Sequence, residues 1–167
     1  MNWYVLFVLS RKMEHLITVL NSYEEVEAFT PMYEFYLRKT KDYDIKPMFK
    51  GYIFIKTEMG QVDFHHFLQR LRSEEEGLIK QLIKEDVSAL REKEINMFEK
   101  LLDDSYTARM SQAYLVNGRA KVYEGPLKYF EMNIVKVDKH NQLAYLDLAF
   151  MDRKIQTGLR ITGRNEY

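Results

Sequence analysis

Phe49, Lys50, Gly51, Tyr52, Ile53 and Phe54 place three aromatic rings around one glycine. Continued to Lys56, the segment reads as a β-strand, because aromatic and β-branched side chains suit a half-buried pleated surface. Gly51 permits close approach of another backbone. Upstream, Lys41, Asp42, Tyr43 and Asp44 form a polar cluster expected at the tip of a hairpin. Tyr33 to Lys39 alternates through Tyr33, Phe35 and Leu37 as the strand leading into it. Pro31 predicts a strand break, with a short strand over Val26 to Phe29 before it.

The chain opens with a β-branched and aromatic run, Trp3 to Leu9. Ser10 follows as a candidate cap for a helix carrying Met13, Leu16, Ile17 and Leu20 at helical spacing. The centre of the sheet is expected to be antiparallel. Val62, Phe64, Phe67, Leu68 and Leu71 predict a second helix, with Asp63 in the first turn where its charge complements the helix dipole. Leu78, Ile79, Leu82 and Ile83 suit a helix face or a strand. An imperfect capping pattern from Ser88, followed by Leu90, Ile95, Phe98, Leu101 and Leu102, predicts an amphipathic helix.

From Asp103 to Gln112 the periodicity weakens, and 105–116 is read as a linker. Short strand segments then follow at Arg119 to Tyr123, Asn133 to Val137, Leu143 to Phe150, Lys154 to Thr157 and Leu159 to Ile161. Gly-Pro, Asp-Lys-His-Asn, Met-Asp-Arg and Gly158 separate them. With Ala144, Leu146, Leu148 and Phe150 on one face, the spacing predicts a small barrel.

The 167 residues, 46% hydrophobic, suffice for two small cores. Lys and Arg balance Asp and Glu at 25 each, but unevenly: residues 1–72 hold 10 against 9, 73–104 hold 5 against 10, and 105–167 hold 10 against 6. Nucleic-acid binding would therefore depend on local clusters rather than bulk charge. The absence of Cys removes disulfides and thiol chemistry and suits a reducing cytoplasm. Val5 to Leu9 is too short to span a bilayer, and no membrane partner is expected. An enzyme is not expected either: the four His are scattered, and no phosphate-cradling loop or nucleophile elbow is present. Glu74 to Glu76 reads as a solvated acidic turn. No cofactor or metal is expected.

The first half resembles the amino-terminal domain of the NusG family. The likeness rests on Trp3-Tyr4 and its apolar strand, Ala28-Phe29-Thr30-Pro31, and Phe49 to Ile55. The second half resembles a KOW module through Val122-Tyr123-Glu124-Gly125-Pro126-Leu127, Val135 to Asp138, and Phe150 to Arg153. Lys136 to His140 and the Gly158-Leu159 ending are similar to the specialised LoaP branch. The resemblance implies an α+β chain: a NusG-type domain over 1–104, an antiparallel sheet flanked by helices, then an all-β KOW barrel over 117–167. It also favours the strand reading near Leu78. Lys50, Met132 and Asp152 stand where the family commonly has Pro, Gly and Gly, so the loop after Leu127 is expected to depart from family geometry.

The same resemblance implies a transcription elongation or antitermination factor. It would dock on the clamp helices of RNA polymerase through Phe7, Phe49, Tyr52 and Phe54 and promote processive transcription of selected operons. Arg11, Lys12, His15, Arg38, Lys39 and Lys41 are the candidate contacts to an RNA hairpin or single-stranded DNA element. Phe150 and Arg153 are the candidates for meeting a ribosomal protein or termination factor; Phe150 also fits the barrel core, given its alternation with Leu146 and Leu148. A stand-alone RNA-binding KOW protein is the alternative. The Val and Ile content of the second half favours strands over a helical hairpin.

Overall fold

The computed structural model describes residues 1–74, 78–81 and 89–163, with the backbone alone at 78–81 and Ala149. The expected acidic turn at Glu74 to Glu76, the cap at Ser88 and the positions Leu82 and Ile83 fall wholly or partly outside the described residues. The chain forms two compact units. One comprises 1–30 and 49–95; the other comprises 31–48 and 96–167.

The first unit is built on a four-stranded sheet. Its strands are β1 (Asn2–Val8), β2 (Val26–Phe29), β5 (Tyr52–Thr57) and β6 (Leu78–Gln81), in the order β2-β5-β1-β6. Every pairing within it is antiparallel, as the sequence leads one to expect. Two helices, α1 (Met13–Asn21) and α2 (Gln61–Glu74), cover one face. Alternation along the strands sends Tyr4, Leu6, Val8, Ile53 and Ile55 into one core with Leu16 and Leu20 of α1 and with Phe64, Phe67, Leu68 and Leu71 of α2. Tyr4 stacks on Phe64 with ring centroids 4.1 Å apart and donates its hydroxyl to the Met59 carbonyl at 2.9 Å. Burial pushes its phenol up from the ordinary range.

Ser10 does not cap α1. It opens a 3₁₀ turn, Ser10–Lys12, and neither that turn nor α1 has a side-chain cap. Val8 N–H donates to the Gly51 carbonyl at 2.7 Å, which holds the end of β1 against the glycine, and the turn after it closes with Lys12 N–H on the Leu9 carbonyl at 2.8 Å. A Cβ at Gly51, whose φ is +89°, would sit 3.2 Å from the Val8 carbonyl oxygen, so the close approach expected at this glycine is present. At the other end of α1 the Asn21 side chain brackets Ala28, donating to its carbonyl at 2.9 Å and accepting its N–H at 2.7 Å. Those two bonds satisfy backbone groups of the edge strand β2.

The second unit holds a three-stranded sheet, β4-β3-β7, and a five-stranded sheet, β10-β11-β12-β8-β9. The first contains the hairpin β3 (Met32–Leu37) and β4 (Asp42–Pro47), with β7 (Thr107–Ala108) parallel to β3. The turn is at 38–41, slightly earlier than expected, and Lys41 takes the left-handed conformation at φ 56°. Helix α3 (Glu92–Leu101) contributes 96–101 to this unit. The five-stranded sheet contains β8 (Ser111–Val116), β9 (Arg119–Glu124), β10 (Ile134–Asp138), β11 (Leu143–Phe150) and β12 (Arg153–Ile161). Strands β7 and β8 lie within 105–116. The two short strands expected around Gly158 are one continuous strand, and the glycine has a steric reason for being there. A Cβ on it would lie 2.6 Å from the Glu34 carbonyl oxygen and collide with the Met110 sulfur.

Asp103 organises the approach to β7. Its carboxylate accepts N–H bonds from Ser105 at 2.9 Å and Thr107 at 3.0 Å and is paired with Arg109 at 2.8 Å. Burial alone would raise this carboxyl, but the Arg109 and backbone donors outweigh it and hold it below its usual range. A carboxylate with a depressed folded pKa contributes stability above its unfolded pKa and loses it as pH falls through the folded one. The stability gap between wild type and Asp103→Asn is therefore expected to be full at pH 6 and to close below about pH 4, the ordinary Asp range. Denaturant titrations across that range check it, and a gap that does not change with pH would assign the effect to shape rather than charge.

Candidate docking and nucleic-acid interfaces

The face of the four-stranded sheet opposite α1 and α2 is aromatic. Residues one position out of phase with the core, Trp3, Val5 and Phe7 on β1, Phe29 on β2, and Tyr52, Phe54 and Lys56 on β5, share it. Register sets the neighbours directly: Trp3 opposes Lys56, Val5 opposes Phe54, and Phe7 opposes Tyr52. The rings form two groups. Trp3 meets Phe29 edge-on at 5.5 Å, Phe29 meets Phe54 at 5.6 Å, and Phe54 lies parallel to Phe49 at 6.4 Å. Phe7 and Tyr52 form a tilted pair at 5.3 Å. Lys56 lays its ammonium 4.8 Å from the Trp3 ring centroid and 5.4 Å from that of Phe29.

The four residues expected to dock on polymerase divide by burial. Phe49 and Phe54 are buried, whereas Phe7 and Tyr52 are half-buried. The structure therefore gives Phe49 and Phe54 a packing role on this face, and Phe7 and Tyr52 are the expected contacts that keep accessible surface. Trp3 and Phe29 belong to the same face and were not among the expected residues. Strand alternation from Phe7 back to Trp3 carried the signal for one of them.

The candidate nucleic-acid contacts fall into two sets. Arg11 and Lys12 lie on the 3₁₀ turn of the first unit and His15 on α1, with Arg11 and His15 exposed. Arg38, Lys39 and Lys41 all lie exposed in the β3–β4 turn of the second unit. The strands below that turn are aromatic: Lys46 sits 4.3 Å from the Phe35 ring centroid, and Tyr36 meets Tyr43 at 5.4 Å.

In the C-terminal sheet Phe150 is buried against Phe98 of α3, edge-on at 5.2 Å, while Arg153 is exposed at the start of β12. Phe150 is thus packed as core, the reading its alternation favoured. Asp152 and Met151, in the turn before Arg153, both adopt left-handed backbone, at φ 60° and 53°. Asp152 therefore holds a conformation for which glycine is the easier residue. Met132 is not a positive-φ position; it projects from the 3₁₀ segment Pro126–Asn133 and is 89% exposed. A groove of about 680 Å³ runs beside it, lined by Arg119, Glu131, Val135, Lys136 and Lys139 among others. Glu131 is committed at its edge, accepting the Val122 N–H at 2.9 Å and facing Lys121 at 3.6 Å. Among the described residues no group of three or more His, Asp or Glu is placed to hold a metal.

The aromatic sheet face and the exposed basic turns lie on a small α+β frame. A family model described as transcription termination factor nusG matches residues 1–99. The chain belongs to the NusG family, whose members are transcription elongation and termination factors that generally bind RNA polymerase and are not enzymes. No curated protein matches it. Among the described residues no helix is long and apolar enough to cross a membrane.

Proposed function

We propose that this protein binds elongating RNA polymerase at its clamp helices through the aromatic sheet face and promotes processive transcription, or antitermination, of selected operons. The observation that supports this most is the Phe7 and Tyr52 pair, half-buried on the sheet face that α1 and α2 do not cover. Aromatic anchors of this kind contribute disproportionately to the energy of a docked interface. The action follows as a population shift: a factor that holds the elongating conformation more tightly than the paused one changes their ratio by that difference in affinity. Arg11, Lys12 and His15 of the first unit, and separately Arg38, Lys39 and Lys41 of the second, are proposed as contacts to nucleic acid that selects the operon. A KOW-type barrel formed by the C-terminal residues, a ribosomal or termination partner at Arg153, kinship with the LoaP branch and a cytoplasmic setting complete the proposal.

Co-purification with core polymerase tests it. The Phe7→Ala, Tyr52→Ala double variant is expected to lose tenfold or more in retention, about 1.4 kcal/mol, while its melting temperature stays close to that of wild type. Wild-type protein that fails to bind core polymerase, but binds structured RNA, would instead favour a stand-alone RNA-binding protein.

A further inference from the structure

The β3–β4 turn does not stand alone. Tyr43, two residues beyond Lys41, donates its hydroxyl to the Gln142 side-chain carbonyl at 2.8 Å, which ties the hairpin to the β10–β11 turn. That second turn carries Lys139 and His140, both exposed. Strand β12 supports both elements. Its Leu159 N–H donates to the Gln142 carbonyl at 2.8 Å, and its Gly158 lies against the Glu34 carbonyl of β3. A Gln156 to Tyr33 bond at 3.3 Å adds a second tie between β12 and β3. Because the hairpin and the turn rest on one strand, the two basic turns are fixed side by side.

We infer that the β3–β4 turn and the β10–β11 turn form one composite surface for single-stranded nucleic acid, with Arg38, Lys39, Lys41, Lys139 and His140 on the phosphates and Tyr43 beside the bases. The inference rests on the proposed nucleic-acid role of the hairpin turn and extends it to residues of the C-terminal sheet. Three carboxylates lie nearby, each held by N–H donors of its own segment; they keep their charge, and the four Lys and Arg side chains outnumber them. Asp42 accepts the Tyr43 N–H and Asp44 the Ile45 N–H, both at 2.8 Å; Asp138 accepts the Asn141 N–H at 3.1 Å and its amide at 2.8 Å, and also faces His140, so of the cationic candidates His140 alone shares its charge with a carboxylate of the turn. Arg38, Lys39, Lys41 and Lys139 pair with none of them. Tyr43 is 37% exposed and tilted against Tyr36, which leaves part of an aromatic ring accessible two residues from Lys41, an arrangement suited to unpaired bases rather than a closed duplex. Lys41 and Gln142 both hold left-handed backbone, at φ 56° and 52°, where glycine or asparagine would be easier.

The test is fluorescence anisotropy across a salt series. Its probes are a 15-nucleotide single-stranded RNA, the DNA of the same sequence, and the corresponding blunt RNA duplex. Removing one phosphate contact from a single strand lowers the slope of log affinity against log salt by about 0.7. Lys139→Ala with His140→Ala is expected to weaken single-strand binding about fivefold and to lower the slope by that amount, as Lys41→Ala does. Tyr43→Phe keeps every cation but removes the hydroxyl bond to Gln142 that sets the two turns against each other, and should weaken binding about threefold with the slope unchanged. Lys154→Ala, an exposed cation at the start of β12, should change neither. If the Lys139/His140 variant or Tyr43→Phe binds like wild type while Lys41→Ala is weakened, the surface ends at the hairpin and the inference fails alone. Equal loss on Lys154→Ala, or tighter binding of the duplex, also overturns it. If wild type binds none of the three probes, the underlying nucleic-acid reading fails with it.

Discussion

Phe54→Ala is expected to destabilise the first unit by about 3–5 kcal/mol, the usual cost of deleting a buried aromatic ring and leaving a cavity. Phe54 is fully buried, and Phe29 and Phe49 pack on it at 5.6 and 6.4 Å. Its removal therefore exposes two further rings to a void that the paired strands on either side cannot close, because β5 is paired with β1 along its length and with β2 from Phe54 to Thr57. The measurement has a built-in local probe. The single tryptophan, Trp3, packs on Phe29 at 5.5 Å, so denaturation followed by its fluorescence reports this unit. The midpoint should fall by on the order of 15 °C or more for a unit of this size. Phe54→Leu, which refills most of the volume, should recover much of the loss. A Phe54→Ala loss below about 1 kcal/mol would contradict the packing, since that is the range of ordinary surface substitutions. The same physics determines which variants can test polymerase docking: loss of binding in Phe54→Ala would report a damaged sheet, whereas Phe7 and Tyr52 can be truncated at much lower structural cost.

The contrast between Phe54 and Tyr52 shows where sequence reading stopped. Alternation placed both on one face of β5, and the register confirms that they share it. Nothing in a two-residue period says how much of that face is covered, so burial had to come from the structure. Strand β8 was missed for a different reason. Ser111 to Val116 has no long aliphatic run, but Asn117-Gly118 follows it, and both residues take positive φ, at 51° and 79°, in a two-residue turn into β9. That dipeptide is the strongest local hairpin signal in the chain and was available without a structure. The tie between Tyr43 and Gln142 was not available, because the two residues are 99 positions apart and no local pattern encodes such a contact. Ser10 shows the opposite error: its residue type suits a cap, but Lys12 N–H closes a 3₁₀ turn on the Leu9 carbonyl and Ser10 becomes the first residue of that turn instead.

Gly125→Ala is expected to be nearly as damaging as Phe54→Ala, although it adds one carbon instead of removing a ring. Gly125 has φ 100° and ψ 176°, a region essentially reserved for glycine, and occupying it with another residue costs about 1–3 kcal/mol. Space compounds the strain. The new Cβ would lie 2.5 Å from the Ser111 hydroxyl oxygen, 2.6 Å from the Ser111 Cα and 2.8 Å from the Met110 carbonyl oxygen. Two of those three atoms are backbone and cannot swing aside, so overpacking adds about 1–3 kcal/mol. Gly118→Ala is the informative control: Gly118 also has positive φ, at 79°, but a Cβ there meets nothing within 4 Å. It should show the backbone cost without the collision. The clash also has a specific address. Ser111 accepts the Leu127 N–H at 2.9 Å, the bond that seats the start of the Pro126–Asn133 segment beside β8. Hydrogen exchange at the Leu127 amide should therefore accelerate in Gly125→Ala beyond what the global loss of stability accounts for, and remain at the global rate in Gly118→Ala. Unchanged protection of Leu127 with stability within 1 kcal/mol of wild type would mean that Glu124-Gly125-Pro126-Leu127 does not need its glycine. Accelerated exchange would show that this glycine is kept because the Ser111 backbone passes where any side chain would have to be.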